Sequence, residues 1–184
     1  MASAATQRMT IEEFERCYLG KRAELWRGEV REYIPAGAKH GKLSLSIGAA
    51  IHTFAKQHQL GTAFAAETGF IVRTPYGESV LAPDAAFIRR EHLPQGEFPP
   101  EFCPLIPDLV VEVVSPSDSY AEMRQKVDER LAGGVLVVWV VDPQRRAVEV
   151  WQQGEAPQKL GEQDIFSGDP ILPGFQLLVG ALFE

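Results

Sequence analysis

The stretch from Leu109 to Val141 limits the fold more than any other part of this 184-residue chain. It opens with Leu109-Val110-Val111-Glu112-Val113-Val114, a strand-length run that is apolar on both faces apart from one acid. It closes with Val135-Leu136-Val137-Val138-Trp139-Val140-Val141, ended by Asp142-Pro143. A strand with hydrocarbon on both faces belongs inside a sheet covered on both sides. Between the two runs, Ser117 or Asp118 caps a helix that extends to about Leu131. Tyr120, Met123, Val127 and Leu131 form its apolar stripe, and Gly133-Gly134 stops it. Strand, crossover helix and strand make a parallel, right-handed pair.

The rest of the chain dresses that unit. Thr10-Ile11-Glu12-Glu13-Phe14 carries the capping-box pattern, and its helix ends near Gly20. Glu24 to Ile34 alternates around Arg27-Gly28, as a hairpin does. Leu43, Ile47, Ala50, Ile51 and Phe54 recur at helical spacing, which predicts an amphipathic helix over 43–57. Residues 62–73 and 80–88 read as two strands joined by Thr74-Pro75-Tyr76-Gly77, and five prolines make 94–107 a loop. Residues 147–151 fold back on the Val135 strand across Gln144-Arg145-Arg146. The remainder, with Pro170, Pro173 and Gly174, forms short strands and a turn closing an edge. The expected architecture is α/β (α+β): a mixed sheet flanked by helices, one domain over 1–184, with a flexible tail over 1–9.

Two acids stand where such a fold buries hydrocarbon. Glu112 interrupts the first apolar run, and Asp84 lies in Val80-Leu81-Ala82-Pro83-Asp84-Ala85-Ala86-Phe87-Ile88. Withdrawing a carboxylate from water costs several kcal/mol. Two brought to about 4 Å also repel by roughly 4 kcal/mol at an effective dielectric near 20. Two arrangements offset this: a divalent cation shared by both, or a separate arginine or backbone amide for each.

Composition narrows the partners. A net charge of −7 argues against an extended basic surface coating nucleic acid, so any such contact relies on locally gathered cations or a second subunit. Cys17 and Cys103 are far apart and in no metal-type spacing, which fits two reduced thiols. The first eight residues lack the apolar core of a signal peptide, and Val135 to Val141 is too short to span a bilayer. The expectation is a cytoplasmic protein with no membrane contact.

Three pieces carry a family resemblance: Glu24-Leu25-Trp26-Arg27-Gly28-Glu29-Val30, Ala82-Pro83-Asp84-Ala85, and the block from Pro107-Asp108-Leu109-Val110-Val111-Glu112-Val113-Val114-Ser115-Pro116-Ser117 through Lys126 to Asp142-Pro143. Together they resemble the putative restriction endonuclease family of cyanobacteria and Thermus-like bacteria, within the PD-(D/E)XK nuclease superfamily. The resemblance runs from about Thr10 to Phe183. It implies a restriction-endonuclease-like fold and Mg²⁺-dependent cleavage of DNA, with Mn²⁺ able to substitute. By the same resemblance Asp84 and Glu112 are metal ligands, the backbone carbonyl of Val113 is a third, and Lys126 orients the attacking water and steadies the phosphate. The superfamily lysine two residues after the second acid is replaced by Val114, and Lys126 on the following helix matches the related placement. A solvated ion-pair face of Glu122, Lys126 and Arg130 is the competing reading of that lysine.

Glu29 and Glu24 match acids of the family's first motif, either of which could approach the metal; Glu29, after Gly28, would reach it through a water or else stand as an exposed hairpin acid. His40, placed just before the second helix, is expected to contact phosphate or assist proton transfer. Asp108 would stand about 13 Å from Glu112 along the strand, too far for a co-ligand, and Asp142 shapes a turn. Gln125 reads as a surface residue, and Arg89-Arg90, after the Asp84 strand, as a flank of the site. Two other functions compete: a nuclease-like fold without catalysis that binds nucleic acid or protein, and a metal-dependent hydrolase of another substrate. Double-strand cleavage with one site per chain implies a symmetric homodimer. Asp84→Ala and Glu112→Ala are each expected to leave the fold intact or more stable, since each removes a buried charge.

Overall fold

The computed structural model describes residues 8–116 and 118–184. Twelve strands and three α-helices follow in the order α1 (Ile11–Tyr18), β1 (Ala23–Trp26), β2 (Glu29–Glu32), α2 (Ala38–His58), β3 (Gly61–Ala65), β4 (Phe70–Thr74), β5 (Gly77–Leu81), β6 (Ala85–Arg89), β7 (Leu109–Val113), α3 (Tyr120–Ala132), β8 (Val137–Asp142), β9 (Ala147–Gln152), β10 (Gln158–Leu160), β11 (Ile165–Ser167) and β12 (Gln176–Leu178). The central sheet has the order β10-β9-β8-β7-β6-β3, and β2-β1-β5-β4 form a second sheet. β7 and β8 pair in parallel, Leu109 beside Val137 through Val113 beside Val141, with α3 as the crossover. Every residue of β7 and of β8 is buried.

The two faces of β7 explain its composition. Leu109, Val111 and Val113 pack under α2 with Leu43, Ile47, Ile51 and Trp139. Val110 packs under α3 with Met123, Val127, Val138 and Val140. Glu112 shares that second face, so it is buried against α3. α1 begins with the capping box, Thr10 accepting from the Glu13 amide. The β1–β2 hairpin turns through Arg27 and Gly28, with φ of 50° and 85°, the paired positive values of a tight hairpin turn.

Several expectations change. The predicted strands over 62–73 and 80–88 are each broken in two, and the halves lie in different sheets. Glu67, at φ 70°, turns the first. Pro83 ends the second: it has no N–H for a ladder, so the chain leaves β5 at Leu81 and re-enters as β6 at Ala85. α3 is capped by Ser119 with Glu122 in a capping box, not by Asp118, and Ser117 lies outside the described residues. β8 starts at Val137, since the Val135 amide closes the end of α3 on Arg130 O. The tail expected over 1–9 lies outside the described residues up to residue 7. Met9 is tied down by its amide, which donates to Gly28 O at 2.9 Å. Among the described residues no helix is long and apolar enough to cross a membrane.

Candidate functional site

Pro83 does more than end a strand. β6 and β7 are antiparallel with Ala85 beside Val111, so one further step of the same register sets Asp84 beside Glu112. The break takes Asp84 out of the regular strand, although its amide still donates to Val111 O at 3.1 Å, and both acids line one cleft with Glu24, Ser115, Asp118 and Lys126. They enter it from different sides of the sheet. Glu112 comes from the α3 face, whereas Asp84 is tied to α2.

Asp84 accepts the Val113 amide on Oδ2 at 2.7 Å and the Ser44 hydroxyl on Oδ1 at 3.1 Å. His40 Nε2 lies 3.4 Å from Asp84 Oδ2 and 2.9 Å from the Val113 carbonyl oxygen. His40 is in the first turn of α2, not before it, because the helix starts at Ala38. Ser44 stands one turn later, and its hydroxyl is 3.3 Å from His40 Nδ1. The Asp84 carboxylate beside it holds the imidazole above its ordinary pKa, against the opposing pull of burial.

Glu112 is paired differently. Arg130 donates Nε and Nη2 to the same oxygen, Oε1, at 3.1 and 2.7 Å. Both side chains are buried, at 6% and 3% exposure. Burial pushes the Glu112 carboxyl up, Arg130 and then Lys126 pull it down, and Asp84 and Glu24 push it further up. Oε2 has no hydrogen bond among the described residues. Trp139 Nε1 is the one sealed side-chain polar atom without a partner among the described residues, and Glu112 is among the residues that line the cleft.

Lys126 points into the cleft and has no ion pair within 4 Å among the described residues. Burial acts to lower its pKa, but the fields of Glu112, Asp118 and Glu24 prevail and hold the ammonium above its usual value. The solvated face read from Glu122, Lys126 and Arg130 is therefore a correction: Glu122 is exposed, Lys126 half-buried and Arg130 buried. Arg130 was legible as a core position, since Met123, Val127 and Arg130 follow the i, i+4, i+7 spacing of one helix face. The neighbouring Glu129, fully buried, accepts Arg27 Nε at 2.9 Å and Ser79 Oγ at 3.1 Å. These two acid–arginine pairs anchor the end of α3 to the hairpin and to β7, which sets where Lys126 stands.

Glu29 is not part of this cleft, contrary to expectation. It sits at the turn end of the hairpin beside Trp26, whereas Glu24, two residues back along β1, lines the cleft and accepts the Ala82 amide at 2.7 Å. Arg89 and Arg90 do not flank the site either. Arg89 ends β6 and Arg90 follows it, at the end away from the cleft, where Arg89 and His92 close on the buried Asp108 at 2.9 Å. Asp142 accepts the Gln144 and Arg145 amides, as a turn residue does. Among the described residues no three His, Cys, Asp or Glu side chains are drawn together tightly enough to grip an ion. The donor set is nonetheless oxygen-rich and hard, with Asp84, Glu112 and Glu24 on one cleft.

The mixed sheet and its acidic cleft define a protein of restriction-endonuclease-like fold. The family model described as Uma2, Putative restriction endonuclease, matches residues 11–180, and the chain belongs to that family. A crystal structure of a putative nuclease belonging to DUF820 from Anabaena variabilis ATCC 29413 has the same fold. Its TM-score is 0.80 at 19% identity, over 95% of this chain and 97% of that one. A search of curated proteins found no match.

Proposed function

We propose that the protein is a metal-dependent endonuclease hydrolysing DNA phosphodiesters. The observation that carries this reading is the meeting of Asp84 and Glu112 on one cleft beside Lys126. Asp84, Glu112 through Oε2, and the Val113 carbonyl are the oxygen donors that would hold Mg²⁺, or Mn²⁺ in its place, and they suit a hard cation. When bound, the ion supplies Lewis acidity and activates water at neutral pH. Lys126, kept charged by its acidic neighbours, donates to the scissile phosphate and stabilises the charge that grows there as the P–O bond breaks. His40 steadies the Asp84 carboxylate and the Val113 carbonyl at the cleft wall. Arg130 holds Glu112 by one oxygen and fixes the direction of the other.

The test is Mn²⁺ titration by calorimetry together with nicking of supercoiled plasmid. Wild-type protein should bind and cleave, and Asp84→Ala should do neither. Wild-type-level cleavage by Asp84→Ala refutes the assignment. The engagement of Glu112 by Arg130, with Val114 at the superfamily lysine position, favours a second reading as a non-catalytic nucleic-acid or protein-binding module. Failure of the wild type to bind Mn²⁺ would select it.

A further inference from the structure

A polyanion meets an obstacle at this cleft. Its walls carry Glu24, Glu32, Glu67, Asp84, Glu112 and Asp118 against Arg22 and Lys126, and Arg22 is already paired with Glu67. Several cations elsewhere on the surface are committed: Arg73 to Glu78, Arg124 to Asp128, Arg145 to Asp142, Arg146 to Glu162 and Lys159 to Glu149. Arg8 and Arg31 have no carboxylate within 4 Å among the described residues, and the same holds for Arg16, Lys21, Lys39, Lys56 and Arg90, but Arg8 and Arg31 share one recess.

These two arginines share a notch with Trp26, Arg27, Glu29 and Gln125. The notch abuts the cleft on two sides. Arg31 is the register partner of Glu24 across the hairpin, and Gln125 is the chain neighbour of Lys126. Its cations are also held in place. The Arg31 guanidinium lies over the Trp26 ring, 4.6 Å from its centre, which limits the freedom it would lose on binding. Arg8 lies across the hairpin turn, where the missing Cβ of Gly28 makes room: a Cβ there would be 2.5 Å from Arg8 Cβ. The charge of Arg27 is met by buried Glu129. Glu29 is the acid of the notch, and Glu122 on the adjoining helix spends Oε2 on the Ser119 cap.

We infer that Arg31, with Arg8 and Gln125, forms a phosphate-binding subsite that grips the DNA backbone one step along the strand from the cleft. It rests on the nuclease reading for the identity of the polyanion. A guanidinium matches two phosphate oxygens with two parallel N–H donors, and Gln125 adds a neutral donor. The subsite brings local positive charge to a protein whose total is −7. Glu29 then acts as a brake on affinity, not as a metal ligand.

The experiment measures anisotropy of a fluorescent duplex oligonucleotide with Ca²⁺ present, over a series of salt concentrations. Mn²⁺ calorimetry runs in parallel on wild type, Arg31→Gln and Glu29→Gln. Arg31→Gln should weaken DNA binding about five- to tenfold and flatten the dependence of log K on log salt by about one unit. Glu29→Gln should tighten DNA binding, and both variants should bind Mn²⁺ as the wild type does. Unchanged DNA affinity and salt slope in Arg31→Gln overturns the subsite, as does a wild type that binds no duplex. A loss of Mn²⁺ binding in Glu29→Gln overturns the brake and returns Glu29 to the metal. Arginine-dependent DNA binding by a protein that takes up no Mn²⁺ would keep the subsite and sink the nuclease reading instead.

Discussion

Arg130 gives two N–H donors, Nε and Nη2, to a single oxygen of Glu112, and the other has no hydrogen bond among the described residues. This relationship reverses the expectation that removing the buried acid is harmless. Glu112→Ala would strand a buried guanidinium, so it should cost about 3–5 kcal/mol. Glu112→Leu combined with Arg130→Met should recover most of that loss, because neither charge then remains buried. Urea denaturation of the single and double variants measures both, and a single variant as stable as wild type would show that the pair carries no such weight.

Asp84→Ala carries a smaller penalty for a different reason. The Val113 amide and the Ser44 hydroxyl both donate to this carboxylate, and the variant leaves them without an acceptor. The expected loss is about 1–3 kcal/mol. Asp84→Asn keeps one acceptor oxygen and should fall between alanine and wild type. Equal stabilities for the two variants would contradict the hydrogen-bond account.

Lys126 has no ion pair to lose within 4 Å among the described residues, so Lys126→Ala should leave stability nearly unchanged. If it steadies the phosphate in the transition state, single-turnover cleavage should slow by about 10²–10³-fold. Mn²⁺ affinity should hold. An unaltered cleavage rate would remove the lysine from the chemistry.

His40 links proton binding to folding. Its imidazole titrates above its ordinary value because Asp84 accepts from it, so the folded state holds the proton more tightly than the unfolded chain, where histidine titrates near about 6.5. The stabilisation is fully present below that pH and is lost as pH rises through the higher native value. Wild type in chelator should therefore melt above His40→Asn in mildly acidic buffer, and the gap should narrow steadily toward alkaline pH. A gap that stays constant with pH would mean that the histidine contributes by packing alone.

Much of this fold is local physics and could be read from residues near one another in the chain. The Thr10–Glu13 capping box, the Arg27-Gly28 hairpin turn and the parallel pair around α3 follow from caps, turn chemistry and apolar run length. Boundaries failed where a tertiary event cut a continuous pattern. The run 80–88 is apolar on both faces for long enough to be one strand, but Pro83 divides it between two sheets. That division puts Asp84 between two strands, where its carboxylate meets Ser44 and His40 of α2. The site was legible in part for the same reason. An acid in a buried strand marks itself, and both Asp84 and Glu112 did so. Glu29 was placed by motif, and the pairing that sets it beside Trp26 and Glu24 beside Arg31 moved it out of the cleft.

By itself, the chain's order of residues determined which segments must be buried, which turns must form and which two carboxylates would be costly to leave alone. Only the tertiary structure decided how that cost is met, with a guanidinium on one oxygen of Glu112 and an amide, a hydroxyl and an imidazole around Asp84. Those partners lie 18, 29, 40 and 44 residues away in the chain. Charge and hydrogen-bonding capacity are properties of single residues, but their satisfaction is a property of distance. Distances between remote residues exist only once the sheet is assembled.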